Sequence, residues 1–444
     1  MHLSAALVAG AALSALSTNA LPVDAPFGAQ AQLAFAAPAA VPSHLAPASL
    51  PTDALVQALR QVPSEYVGQL EAHIASLPER RQVRLADGAE AIDVSEGEKA
   101  LLFLAGQRFI DVTDELLATA GTTAASVADK GATPFPKSLS HSAKALSHVF
   151  AKLDTRRMHK FLESFTGFRT RYYRSDTGKQ SQQFLLGQVR QVAASDKSLG
   201  ITVREFAHPW GQNSIIARIE PEHGVKNQSE AVVILGAHQD STNLLPFLSA
   251  PGADDDASGT TSSLSAFTAL VESGFRPSHA PVEFHWYSAE EGGLLGSQAV
   301  AQDYAKRGIK VRSMLQMDMS ASSSPSPPAR HYVKPGTNPT IGIIQDFVDP
   351  AFTEYLTRVV DEYAEIPAVK TQCGYACSDH ASWSKVGAPS AFTIESTFED
   401  SDKNIHSSRD TVDQEGYSLE HVKQFARVAI ALAVELGGGA SVVA

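Results

Sequence analysis

Ala231-Val232-Val233-Ile234-Leu235-Gly236-Ala237-His238-Gln239-Asp240 begins with five consecutive apolar residues and ends on an imidazole and a carboxylate. A continuous apolar run that closes on a glycine is the pattern of a β-strand buried on both faces, and such strands belong to parallel sheets covered by helices. Working outward, Val282 to Tyr287, Val311 to Met317 and Ser390 to Ile394 read as further strands. Ser258 to Ser273, Leu294 to Arg307, Phe352 to Ala364 and Ser418 to Leu436 read as helices. Strand and helix in alternation predict an α/β fold, a three-layer sandwich with a mostly parallel central sheet and helices on both faces. In such sheets, sites form beyond the carboxyl ends of the strands. His238 follows the first strand, Glu290 and Glu291 the second, and Asp318 the third. No internal repeat is present.

The chemistry gathers at those strand ends. The three stretches Gly236–Ser241, Gly252–Gly259 and Ala289–Gly292 carry one imidazole, His238, and six carboxylates: Asp240, Asp254, Asp255, Asp256, Glu290 and Glu291. Imidazole plus carboxylate is the donor set for a zinc ion that keeps an open, water-bearing position. So many anionic side chains need a cation to neutralise them, and two metals fit better than one. Acidic loops are commonly just solvated turns, but these acids sit beside strand-like segments and not in a charged tail. Glu290 and Glu291 are adjacent, so their side chains point apart. One can bind metal while the other serves as a general base toward a water. Spacing alone does not choose Asp255 from Asp254 and Asp256, nor pick out Asp318 or His406.

The motifs His238-Gln-Asp240, Gly-Ala-Asp254-Asp255-Asp256-Ala-Ser-Gly, Glu290-Glu291-Gly, Gln316-Met-Asp318-Met, Cys373-Gly-Tyr375-Ala-Cys377-Ser-Asp-His and Ile405-His406-Ser occur in one order over roughly residues 140 to 438. Together they resemble the secreted leucine aminopeptidases of bacteria and fungi, exopeptidases with two co-catalytic zinc ions. The resemblance implies that Asp255 bridges both ions, that His238 and Asp318 complete one site, and that Glu291 and His406 complete the other. It assigns Glu290 as general base and Asp240 as the carboxylate that receives the second N–H of the zinc-bound His238. It gives Tyr375 the part of a hydrogen-bond donor to the substrate or transition-state oxyanion. It also implies a cis peptide between Asp255 and Asp256. His380 is set aside as a residue that supports the ligands from behind or is structural, because the His of the second site is the later His406. His208, His223 and His285 are treated as background. Met319, Phe398 and Ile405 flank the motifs and would make, with Tyr375, an apolar pocket for a leucine-like side chain. Such a pocket separates apolar side chains by only about 1 to 3 kcal/mol per methylene, so broad preference is expected.

Length and composition bound the rest. At 444 residues the chain exceeds one typical domain. A net charge of -12 argues against nucleic acid and anionic membrane partners. Peptides or proteins with a free N-terminus are the expected partners, and a monomer is expected. The first twenty residues read as a secretory signal: an apolar stretch too short to span a membrane, then Thr18-Asn19-Ala20 as a small-residue cleavage site. They lack a basic n-region, against the usual pattern. Residues 21 to about 50 are rich in Ala and Pro. Residues 52 to about 117 look ordered, with helical patterning in Asp53 to Val62 and Ser95 to Gly106. Thr122 to Pro136 reads as an exposed linker. Phe109-Ile-Asp-Val-Thr-Asp114 resembles the end of the propeptide in secreted leucine aminopeptidases. The division expected is signal peptide 1–20, propeptide 21–130 and zinc aminopeptidase domain 131–444. Cys373 and Cys377 are the two cysteines of the chain. They cannot complete a thiolate zinc site, and in an oxidising compartment a disulfide is expected. Asn227-Gln-Ser is an N-glycosylation sequon.

A secreted aminopeptidase is therefore expected. The alternatives are a glutaminyl cyclase, carboxypeptidase or dipeptidase on the same scaffold, or a catalytically silent peptidase-like binding domain.

Overall fold

The computed structural model describes residues 57–114, 134–221, 231–321, 339–439 and 442. The expected signal sequence, the Ala/Pro-rich stretch, most of the linker, His223 and Asn227 lie outside the described residues.

The helices are α1 (Ser64–Ser76), α2 (Lys99–Leu104), α3 (Ser147–Phe150), α4 (Thr155–Phe165), α5 (Asp176–Ser195), α6 (Gly259–Glu272), α7 (Leu295–Lys306), α8 (Pro350–Tyr363), α9 (His380–Lys385) and α10 (Leu419–Gly437). The strands are β1 (Arg80–Arg84), β2 (Ile92–Ser95), β3 (Ile110–Asp111), β4 (Thr202–Phe206), β5 (Ser214–Ile219), β6 (Val232–His238), β7 (Val282–Tyr287), β8 (Val311–Met317), β9 (Ile341–Ile344), β10 (Ala368–Thr371) and β11 (Ser390–Ile394). Strands β4 to β11 make one eight-stranded sheet in the order β10-β9-β11-β8-β6-β7-β5-β4. Its centre, β11-β8-β6-β7, is parallel, as is the β10-β9 edge pair. The remaining pairs are antiparallel.

β6 shows why the apolar run was informative. Every residue in it is buried. Val232 and Ile234 pack with Val300, Tyr304 and Trp383 from α7 and α9 on one face. Val233, Leu235 and Ala237 pack with Phe267, Leu270, Phe425 and Val428 from α6 and α10 on the other. The two-residue period of the strand divides one apolar run between two cores. α10 carries a buried acid, Glu435, on its inner turn. It is satisfied by the backbone N–H groups of Ser140 and His141 and by the hydroxyls of Tyr355 and Tyr363. Among the described residues no helix is long and apolar enough to cross a membrane.

The N-terminal region departs from expectation. The described part of Asp53 to Val62 is helical only over 57–59, and the Ser95 to Gly106 helix shortens to α2. Helix α1 and the antiparallel sheet β2-β1-β3 were not foreseen. β1 is Arg-Arg-Gln-Val-Arg, with one apolar residue in five, so it carries no two-residue apolar alternation. Pairing and charge hold it instead. Arg80 meets Asp93, and Arg81 Nε lies 2.7 Å from Asp111.

Candidate metal centre

β6 ends on His238, and its Nε2 faces two carboxylates. Asp255 Oδ1 lies at 3.1 Å and Asp318 Oδ1 at 3.5 Å. Asp318 directly follows β8, the neighbour of β6. His406 comes from the loop before α10, and its Nε2 lies 3.1 Å from Asp255 Oδ2 and 3.0 Å from Glu291 Oε2. Asp255 thus gives one oxygen to each of two groups, His238-Asp255-Asp318 and Asp255-Glu291-His406. Within each group the ligand-type atoms lie within 4.8 Å of one another.

The chemistry of these groups suits metal. His238 Nε2, Asp318 Oδ1 and Glu291 Oε1 are buried without a hydrogen-bond partner. Buried polar atoms are rarely left unpaired. A cation in each of the two groups would satisfy all three. Burial alone would lower the His406 pKa, but Glu291 and Asp255 override it and lift it to about 10. The same competition raises His238 well above its ordinary value, burial opposing and Asp318 and its neighbours prevailing.

A frame of hydrogen bonds holds the ligand-bearing backbones. The Asp256 carboxylate accepts from the N–H of His238 at 3.0 Å, of Gly259 at 2.8 Å and of Met319 at 3.3 Å. It thereby ties the ends of β6 and β8 to the start of α6. The Asp255–Asp256 peptide bond is cis. Asp240 accepts from the N–H of Glu290 at 3.1 Å and of Glu291 at 3.2 Å, and lies 3.5 Å from His238 Nδ1. Its firm bonds are therefore to the Glu290-Glu291 backbone, with His238 at longer range. Asp410 accepts from the N–H of Asp254 and Asp255, at 2.8 and 3.0 Å. Ser378 Oγ donates to Asp318 Oδ2 at 2.6 Å. Sequence reasoning gave Asp410 and Ser378 no part. Ser378 lies inside a quoted motif and could have been weighed. Nothing in local pattern distinguishes Asp410.

Glu290 belongs to neither group. It lines a cavity of about 450 Å3 together with Asp255, Glu291, Asp318, Tyr375 and His406. Burial foremost raises its pKa well above the usual carboxylate range. Glu291, Asp379 and Asp318 add to this, against the pull of His238. Cys373 and Cys377 are joined by a disulfide. Asp346 accepts from the N–H groups of Cys373 and Gly374, at 3.2 and 2.5 Å, and fixes the loop that carries Tyr375. Burial pushes the Tyr375 pKa up to about 12, so the phenol keeps its proton at neutral pH. Met319, Phe398 and Ile405 form one apolar wall with Ile344, Phe392, Ile394 and the disulfide.

Among the described residues, His380, His208 and His285 stay apart from these groups. His380 is buried, 3.3 Å from the Asp346 carbonyl, and burial holds its pKa down at about 4. His208 stacks on Trp210, and His285 sits 2.8 Å from Glu283.

The N-terminal region reaches the same cavity, which the sequence did not suggest. Phe103, Leu104, Arg108 and Phe109 line it. The Phe103 ring meets the His406 imidazole edge-on at 5.7 Å, and the Arg108 guanidinium lies 5.8 Å from the Tyr375 ring. Lys99 Nζ donates to the Gly292 carbonyl at 2.9 Å, and the Asp111 N–H to Gly293 at 3.1 Å.

The sequence pattern of peptidase family M28 matches residues 214–433. Leucine aminopeptidase 1 of Chaetomium globosum is 46% identical over 351 residues, which cover 77% of this chain and 82% of that protein. The chain belongs to peptidase family M28. Leucine aminopeptidase 1 of Neurospora crassa is also 46% identical, over 349 residues. The solved LapA aminopeptidase of Legionella pneumophila superposes with a TM-score of 0.67 at 26% identity, covering 81% of this chain and 99% of that one. This M28 peptidase is a metallo-aminopeptidase and acts on peptides. Family M28 is zinc-dependent, and the two groups sharing Asp255 are where this member could hold metal.

Proposed function

We propose that the enzyme removes leucine-like apolar residues from peptide N-termini with two zinc ions bridged by Asp255. The observation that carries this reading is the division of Asp255: Oδ1 toward His238 and Oδ2 toward His406. His238 and Asp318 would complete one site, and Glu291 and His406 the other. When bound, the pair of ions would polarise the scissile carbonyl and lower the pKa of a water. Glu290 takes the proton from that water on its carboxylate and returns it to the leaving amine. Its place in the cavity wall, outside both ligand groups, leaves its carboxylate free for that part. The Tyr375 hydroxyl donates a hydrogen bond to the developing oxyanion. Asp240 holds the Glu290-Glu291 backbone and faces His238 Nδ1. Met319, Tyr375, Phe398 and Ile405 receive the apolar side chain of the first residue.

The test is metal analysis with chelation. Purified protein should carry two zinc ions per chain. A strong chelator should abolish hydrolysis of leucine amide, and zinc should restore it. One tightly held ion per chain, with full activity, would overturn the two-ion reading.

We further infer that residues 21–130 are a removable propeptide that inhibits or chaperones the peptidase domain, 131–444. The chain is proposed to be secreted, with residues 1–20 as signal peptide and Asn227 as glycosylation site. Two features support the propeptide: the small-residue linker at 122–136, and the seating of Phe103 and Arg108 in the cavity that holds Glu290. Exposed linkers of small residues are where proteases cut. N-terminal sequencing of secreted, active protein should give a start within that linker. A fully active chain starting at or near Leu21 would make the region a permanent domain.

A further inference from the structure

Arg171 is fully buried, yet among the described residues its guanidinium bonds backbone carbonyls and no carboxylate. Its five N–H donors form a rigid fork. Nε donates to the carbonyl of Gln239 at 2.9 Å, Nη2 to that of Gly252 at 2.8 Å, and Nη1 to that of Pro251. The Phe165 ring at the end of α4 lies 4.5 Å from the guanidinium. These three carbonyls mark the two ends of one excursion of the chain. Gln239 is the residue after His238, and Gly252 comes three residues before Asp255. Gly252 has φ +54°, and a Cβ there would stand 2.4 Å from the Asp255 carbonyl and 2.9 Å from Nη2. The backbone of Arg171 joins the same staple. Its N–H donates to Ser241 Oγ at 3.0 Å, and Ser241 in turn donates to the Ala250 carbonyl at 2.7 Å. Gln212 Nε2 anchors the Arg171 carbonyl at 3.0 Å.

We propose that Arg171 is a positioning residue for the metal centre: its fork clamps the ends of the 239–252 loop together and so holds His238 and Asp255 at ligand spacing before an ion arrives. The inference rests on the two-zinc reading. The clamp works through geometry. A guanidinium reaches three carbonyls at once, whereas an ammonium is a point charge that cannot reproduce the fork. Arg171 also lies in the field of the Asp410, Asp256, Asp240 and Asp255 carboxylates, so a variant that keeps the charge but loses the fork separates positioning from charge.

The test compares full-length wild type with Arg171→Lys and Arg171→Met. Zinc affinity is read by chelator competition, and coordination by the visible spectrum of the cobalt(II)-substituted protein. Residues that orient metal ligands typically contribute about 10- to 100-fold in affinity. Both variants should weaken zinc binding by at least about 10-fold and alter the cobalt spectrum. Wild-type affinity in Arg171→Lys, with loss only in Arg171→Met, would show that charge matters and the clamp does not. A lower melting temperature in both variants, with affinity and spectrum unchanged, would make Arg171 merely structural. Should neither variant fold, Ser241→Ala removes one arm of the staple and leaves the guanidinium in place. It should weaken zinc binding to a smaller degree, and unchanged affinity there would overturn the proposal. Wild type without two zincs would overturn the underlying reading. Two zincs with equal affinity in the variants would overturn only the part given to Arg171.

Discussion

Glu290→Gln should lower kcat by at least about 100-fold while zinc content stays near that of the wild type, because general acid–base groups contribute about two to four decades. Glu291→Gln should do the reverse and weaken metal binding first. The structure separates the neighbours physically. Asp240 accepts both backbone N–H groups and fixes the turn from which the two side chains diverge. Glu291 Oε2 then lies 3.0 Å from His406 Nε2, whereas Glu290 lines the open cavity. Glutamine keeps the size of glutamate and its acceptor oxygen but cannot take a proton at neutral pH. The measurements are zinc content and kcat on leucine amide at saturating zinc for both variants. Zinc loss in Glu290→Gln with a normal ion count in Glu291→Gln would show that the two parts are exchanged.

How far the sequence could go is clearest at β6. Its apolar run disclosed the strand, its double burial and the position of His238 at the end. Acidic motifs after β7 and β8 located the chemistry, because a carboxylate beside an apolar run is costly unless paired. Other parts leave no local trace. Arg171 looks like any surface arginine until the fold brings Gln239 and Gly252 to it, some seventy to eighty residues away in the chain. Asp410 is likewise defined only by the backbone amides it meets. In the N-terminal region, Lys99, Glu96 and Asp111 are buried together, with Lys99 Nζ at 2.9 and 2.7 Å from the two acids. A charged triplet of this kind reads as solvent-facing when its partners are unknown. Helix α4 is a different case. Met158, Phe161, Leu162 and Phe165 recur at helical spacing after the N-cap Asp154, so its signal was present and went unread.

Asp255→Ala should cost both ions at once. The prediction follows from the sharing of one carboxylate between His238 and His406. Removing Glu291 or Asp318 leaves the other group intact, but removing Asp255 leaves each group with two ligands. It also removes the negative charge that offsets repulsion between two divalent ions. Transition-state charge stabilisation by metals is worth several kcal/mol, so activity should fall by about three decades or more at ordinary zinc concentration. A thermal readout makes the test independent of turnover. Ligands that bind only the folded state stabilise it by about 2.7 kcal/mol at one hundred times Kd. Wild type should therefore melt at a distinctly higher temperature with zinc than with chelator, and in Asp255→Ala this gap should close. Two tight ions with an undiminished gap would sink the bridging assignment. A single retained ion with part of the gap would place Asp255 in one site alone, and the Asp255 oxygen facing the empty group would then be a neighbour of its histidine and not a ligand.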